Sequence, residues 1–414
     1  MAEQVRFEPA GRDAAGEPFR PCRRMIVGPW CNQPEEYEGY NGFVGWAGLT
    51  ILRSGRWLCT FSSGYWHASM PLTEEVLADE KCRKLFEYYQ TLGCPYIRAP
   101  RGGRAHIMHS DDRGRTWSKP ETLIDTDLDD RHPTILELDD GTWLCMFFQY
   151  RLPQFGQACW IRSQDQGKTW TAPVTPPGGQ PGGFGAGPTI QLRDGSVVWV
   201  AEGIHDDVAY PQIGVYRSTD RGRSFELASV LRADHELNEP SVVEMPSGRL
   251  AVITRRQGDL WFSDDGGRTW TPPQTFGVEL FDPHLLMLPN GVLACFHGSY
   301  PNGGIRVILS GDEGRTWHGP TETFGYGVDL SVYGYCHPVL LDDGTVLLVY
   351  LHSGGHHTAD ARTEALWLLR VAVSDTADGI EILPAPGSPA ERKASLSHLE
   401  SQRTEGGDPA LGEL

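Results

Sequence analysis

Between Leu49 and Tyr350 the chain repeats one pattern: a run of apolar and β-branched residues, a short polar turn containing Gly, and a second apolar run. The copies read LTILRSGRWLCTF, TILELDDGTWLCMFF, TIQLRDGSVVWVA, SVVEMPSGRLAVI, LLMLPNGVLACF and PVLLDDGTVLLVY, with turn glycines at Gly55, Gly141, Gly195, Gly248, Gly291 and Gly344. Runs this short, with a turn between them, predict paired strands and not helices.

A second motif follows the hairpins in five places: SDDRGRTW from Ser110, SQDQGKTW from Ser163, STDRGRSF from Ser218, SDDGGRTW from Ser263 and SGDEGRTW from Ser310. Its Asp can accept nearby backbone N–H groups and its Gly can take a positive φ, so it suits a tight turn between a third and a fourth strand. The closing Trp, or Phe225 in the third copy, then starts the next strand. Hairpin, strand, Asp-containing turn and strand make a four-stranded antiparallel unit. Tandem copies predict an all-β chain: a six-bladed β-propeller of four-stranded antiparallel blades.

Two irregularities modify this plan. Gly55 and Gly141 are 86 residues apart, so blade 1 carries an insertion over about residues 62–103. Its segment TEEVLADEKCRKLFEYYQTLG, from Thr73, has an N-cap, an acidic first turn and a Gly stop, which predicts a helix. The sixth blade has only a decayed turn, SDTADG from Ser374, and CRRMIVGPW near the N-terminus is expected to pair there and close the ring. The domain is expected to run over residues 1–385; from Pro386 the sequence loses its aromatic residues and reads as a disordered tail, 386–414.

Composition narrows the partners. A formal net charge of −18 disfavours nucleic acid and anionic membrane. No apolar stretch has the length of a membrane span, and the N-terminus lacks the pattern of a signal peptide. The nine cysteines have no metal-ligand spacing and alternate as buried apolar residues do. They read as reduced core thiols, which predicts a cytoplasmic protein with no cofactor and no bound metal.

If the Asp-containing turns occupy one face, the starts of the inner strands lie on the other. Those starts carry Arg131-His132-Pro133, Gly185-Ala186-Gly187-Pro188, Asn238-Glu239-Pro240, Asp282-Pro283-His284 and Tyr335-Cys336-His337-Pro338. The loops between second and third strands on that face add Arg151, Glu202, His205, Arg255, Arg256, His297, Tyr300 and a segment with His352, His356, His357, Asp360 and Arg362. Titratable groups from several blades meeting at one mouth mark a candidate site.

With these motifs, the chain resembles the sialidase superfamily over about residues 40 to 380. The resemblance implies that Glu239 is the base that activates a tyrosine, that Tyr335 is the nucleophile, with Tyr333 nearby, and that Arg255 or Arg256 binds a carboxylate of the substrate. The first-blade Arg-Ile-Pro of that family is absent, replaced by FVGWAGLTIL, and the imitation Arg98-Ala99-Pro100 lies too late in the chain. The expected third arginine gives way to HGSYPNGGIR, with only Arg306 in the strand that follows.

The expected activity is that of a sialidase-like, exo-acting glycoside hydrolase that removes a terminal acidic sugar from an oligosaccharide or glycoconjugate; the incomplete arginine set speaks against sialic acid itself as that sugar. Glu239, Tyr335, Asp282 and His132 are the candidate catalytic residues; Arg131, Arg151, Arg255, Arg256, His337 and His297 are the candidate substrate-binding ones. Two alternatives remain at this stage: a uronate-directed polysaccharide lyase using His, Tyr and Arg, and a non-catalytic glycan-binding propeller.

Overall fold

The computed structural model describes residues 2–11, 17–66, 69, 73–91, 99, 101–151, 155–178, 181–182, 186–205, 208–299, 303–320, 324–352, 364–395 and 397. Its strands form six sheets arranged as blades. Blade 1 comprises Phe43–Ile51, Trp57–Gly64, Arg104–Ser110 and Glu121–Ile124; blade 3 comprises Ala186–Gln191, Val197–Gly203, Gln212–Ser218 and Glu226–Leu231. Blade 2 departs from the four-stranded plan: Asp129–Glu137, Trp143–Arg151 and Phe155–Ser163 pair in order, and a single bridge from Trp160 to Val174 stands where a fourth strand was expected.

The turn glycines behave as the sequence requires. All six have φ between +80° and +88°. Each donates its N–H to the apolar residue three positions earlier, as from Gly55 to the Leu52 carbonyl at 2.8 Å and from Gly344 to the Leu341 carbonyl at 3.0 Å. The Asp-containing turns are hydrogen-bonded boxes. In the fourth, Ser263 Oγ accepts from the Gly267 N–H at 2.9 Å and donates to Asp265 Oδ1 at 2.9 Å, while Thr269 Oγ1 donates to Asp265 Oδ2 at 2.6 Å. The Trp270 indole then donates to the Gly267 carbonyl at 3.2 Å.

The second strands are mostly apolar because both of their faces are buried. In Val197–Gly203, Val197, Trp199 and Ala201 pack against blade 2, and Val198 and Val200 pack against blade 4. Six such cores lie between successive blades. The ring closes where Leu347, Val349 and Leu351 of blade 6 meet Leu49, Cys59 and Phe61 of blade 1.

The N-terminal segment runs along the outside of three blades. Glu3–Gln4 pairs parallel with Gln274–Thr275 of blade 4, Arg6–Pro9 with Thr316–Gly319 of blade 5, and Arg24–Val27 antiparallel with the start of Leu366–Val373 in blade 6. The MIV run therefore joins blade 6 as expected, but it occupies an outer edge that it shares with Ile380–Leu383. Closure comes from apolar packing between blades 6 and 1 instead.

The insertion holds two helices where one was predicted. Thr73 caps Glu74–Ala78 by accepting the Val76 N–H at 3.2 Å; Asp79 breaks the run and accepts the Cys82 N–H at 2.8 Å ahead of Glu80–Thr91. The polar segment after Pro386 differs from the expected disordered tail: residues 389–395 are helical, Ser388 accepts the Glu391 N–H, and Arg115 pairs with Glu391 at 2.9 Å. Residues 398–414 lie outside the described residues. Among the described residues eight cysteines are free, seven of them buried, and no described helix is long and apolar enough to cross a membrane.

Ser263→Ala should lower unfolding stability by about 1–3 kcal/mol, because the buried Gly267 N–H loses its acceptor. Urea denaturation measures the change, and Thr269→Ala on the same turn, where the lost hydrogen bond is exposed, should cost less.

Candidate functional site

The inner strands share one distortion. Pairing with the second strand slips between Gly45 and Gly48, Arg131 and Thr134, Ala186 and Thr189, Phe281 and His284, and Gly334 and Cys336. Within four of these slips, and just before the inner strand of blade 4, a residue with a side chain is left-handed: Trp46 at φ 46°, His132 at 53°, Asp282 at 42°, Tyr335 at 56° and Glu239 at 46°. That conformation costs roughly 1–2 kcal/mol for each such residue. Bulges of this kind re-aim side chains beside active sites. Here they bring His132, Glu239 and Asp282 into one cavity with His284 and His337.

Glu239 is the hub. Tyr335 donates its phenolic O–H to Glu239 Oε1 at 2.8 Å, and Arg255 Nη1 donates to the same oxygen at 2.8 Å and to the phenol oxygen at 3.0 Å. The Asp282 N–H donates to Glu239 Oε2 at 2.8 Å, and the Glu239 N–H donates to Glu202 Oε1 at 2.6 Å. Arg255 is fixed from behind by Glu279, which accepts from its Nε at 2.9 Å, and its guanidinium lies 3.7 Å over the Phe281 ring. Arg256 braces the same carboxylate at 3.3 Å and pairs with Glu236 at 3.1 Å.

Burial separates the protonation states. Burial and then the Glu239 charge push the Tyr335 phenol well above its usual pKa, against the pull of Arg255, so it keeps its proton. The same two causes raise the Asp282 carboxyl well above the usual carboxylate range. Burial opposes the charge on Arg255, but Glu239, Tyr335 and Glu279 outweigh it. Burial lowers His132 to about 4, His284 to about 3 and His337 well below its ordinary value. The three imidazoles are therefore neutral at pH 7, with the His284 and His337 rings 4.6 Å apart.

Four expected residues thus meet: Glu239, Tyr335, Asp282 and His132. His337 joins them in the cavity, and Arg255 and Arg256 reach the hub from blade 4. Arg131 does not belong to it. Its side chain is buried, Nε pairs with Asp129 at 2.8 Å, and the guanidinium lies 4.8 Å from the Trp46 ring, because it stands one residue before the bulge and points away from the channel. His297 is also withdrawn: it is buried in a second strand, with Nδ1 2.9 Å from the Gly298 carbonyl.

Nothing is described for the Arg151 side chain, and Arg98, Pro100, Gly185, Tyr300, His356, His357, Asp360 and Arg362 lie outside the described residues. Tyr333 stacks 6.3 Å from Tyr335 and is not the phenol bonded to Glu239. Sequence reasoning missed Trp46, whose ring meets Tyr335 edge-on at 6.4 Å, and Glu279; the signal for Trp46 was its place at the start of an inner strand. Among the described residues no group of three or more His, Cys, Asp or Glu is arranged to hold a metal ion.

A family model for the BNR repeat-like domain matches residues 132–304. No curated protein sequence matches the chain significantly. A protein of unknown function from Dyadobacter fermentans superposes with a TM-score of 0.63 at 18% identity, covering 87% of this chain and 100% of its own. The intramolecular trans-sialidase from Ruminococcus gnavus, in complex with oseltamivir carboxylate, gives 0.51 at 14%, covering 81% and 96%. The α-L-arabinanase of Penicillium chrysogenum, with arabinobiose, gives 0.55 at 15%, covering 84% and 97%.

In fold, the chain is a six-bladed propeller similar to these structures, with BNR repeat-like sequence over residues 132–304. Its solved neighbours include glycoside hydrolases, and at these identities the likeness is one of fold.

Removing Arg255 leaves the buried Glu239 carboxylate unpaired, so Arg255→Ala should destabilise the propeller by about 3–5 kcal/mol. Adding Glu239→Gln should recover part of that loss in a double-mutant cycle read by chemical denaturation.

Proposed function

We propose that this propeller is a retaining, exo-acting glycoside hydrolase in which Tyr335 is the nucleophile. The 2.8 Å hydrogen bond from the Tyr335 O–H to Glu239 carries the reading. A phenol is a weak nucleophile until an adjacent base takes its proton, and Glu239 is placed to do so. As the phenol oxygen attacks the anomeric carbon, its proton passes to Glu239, and Arg255 stabilises the charge that develops on that oxygen. The bond from the anomeric carbon to the leaving oxygen breaks, and Asp282, held protonated, gives that oxygen its proton. The ionised Asp282 then takes a proton from water, whose oxygen attacks the anomeric carbon as the bond from that carbon to the Tyr335 oxygen breaks, and the released phenolate recovers its proton from Glu239.

His132, neutral and lowered to about 4, suits the acid role less well than Asp282 does. The substrate class is a terminal sugar of a glycan. With Arg131 buried and Arg255 held by Glu239 and Glu279, Arg256, 39% exposed, is the residue positioned to meet an acidic group on that sugar. The lyase reading keeps one supporting observation, the neutral His132 and His337 in the same cavity. Incubation with uronate oligosaccharides, followed at the absorbance of an unsaturated uronide, separates the two.

Tyr335→Phe and Glu239→Gln should each lower kcat by about 10²–10⁴-fold on the glycoside that the wild type cleaves. A 2-fluoro analogue of that glycoside should leave its mass on the peptide containing Tyr335. Labelled Glu239 or Asp282 instead would overturn the assignment. Because Asp282 acts protonated, activity should fall as pH rises through its raised pKa. Asp282→Ala should remove that limb and spare substrates with good leaving groups.

A further inference from the structure

The N-terminal segment ends its course along blade 6 in a turn that the catalytic reading leaves unexplained. Gly28 and Cys31 exchange backbone hydrogen bonds at 2.9 and 3.0 Å, so Pro29 and Trp30 form a two-residue hairpin loop. Asn32 Nδ2 ties the turn down by donating to the Ile26 carbonyl at 3.0 Å. Trp30 stands at φ 63°, in the position where a Pro-led turn usually places Gly or Asn. For a bulky residue such a φ is an outlier.

Trp30 is also 101% exposed, whereas the next most exposed large apolar residue among those described, Val174, is at 43%. Single exposed apolar residues are ordinary. A left-handed backbone and a fully solvated indole at one position are not, because a glycine there would remove both penalties. A rigid turn that holds an aromatic ring clear of the surface is what a stacking contact needs, since little freedom is left to lose on binding.

The turn faces the same way as the site. Gly334, Leu351, Leu366 and Val27 lie in one row across four of the five strands of blade 6, so Trp30 follows directly on the end of the blade that carries Tyr335. Gly28 abuts Ala365, whose carbonyl accepts the His352 N–H at 2.9 Å, and the His352 carbonyl accepts the Tyr333 N–H at 2.8 Å. Three strand spacings put the turn roughly 14 Å from Tyr335 along the face. That is the reach of a short oligosaccharide.

We infer that Trp30 is a remote sugar-binding platform, on which the leaving-group side of an extended, uncharged glycan stacks after leaving the channel over blade 6. The flat apolar face of a pyranose or furanose ring matches an indole, and a chain of net charge −18 opposes a polyanion or a second copy of itself at this spot. The assignment rests on the glycosidase reading for the direction of the glycan but not for the contact itself.

The test is native affinity electrophoresis with arabinan, galactan or xyloglucan in the gel. Wild type and Tyr335→Phe should be retarded by at least one of them, and Trp30→Ala should bind that polysaccharide at least tenfold more weakly. Trp30→Gly should unfold at a higher temperature than wild type, showing that the turn survives without the indole. If all three polysaccharides leave wild type unretarded, or retard Trp30→Ala equally, the platform does not exist. A dimer in light scattering that Trp30→Ala converts to monomer would likewise assign the indole to self-association and overturn the inference. A protein inactive on every glycoside but retarded through Trp30 would keep the inference and remove the catalytic reading.

Discussion

Each blade of this propeller buries both faces of its second strand against a neighbour, and everything else depends on that constraint. A strand such as Val197–Gly203 has no polar side to give to water, so a blade alone would expose an apolar surface on either flank. Only a closed ring removes the last such flank. The contact between blades 6 and 1 is therefore the same kind of core as the other five, and it needs no strand exchanged across the seam.

Closure fixes the inner strands side by side, and this rigid frame sustains five left-handed residues around the channel. Each conformation is unfavourable by itself and persists because the flanking strands leave no alternative. The hub at Glu239 is assembled by these left-handed residues: Glu239, Asp282 and Tyr335 come from blades 4, 5 and 6 and are far apart in sequence, yet Asp282 and Tyr335 both donate to the Glu239 carboxylate. Burial and the Glu239 charge then keep the proton on both the Asp282 carboxyl and the Tyr335 phenol.

Much of this was legible. The Gly-centred hairpins and Asp-containing turns are local chemistry, in which the residue types at fixed offsets specify the turn, so blade number and orientation could be read directly. Glu239, Tyr335 and Asp282 stood out because each begins an inner strand. The arginines were harder. Arg131 and His132 are adjacent, but a one-residue difference across a bulge sends one into the core and the other into the channel. Glu279 carried no pattern at all, since its role exists only through Arg255.

The sequence by itself determined the repeating unit, its number and the face on which chemistry could occur, because turns and strand patterns are decided by residues near one another in the chain. Tertiary structure alone decided which polar groups meet. It withdrew Arg131 and His297, brought in Trp46 and Glu279, carried the N-terminal segment around three blades, and set the protonation of Asp282 and Tyr335. Those outcomes depend on burial and on contacts between blades, and neither is encoded within any one repeat.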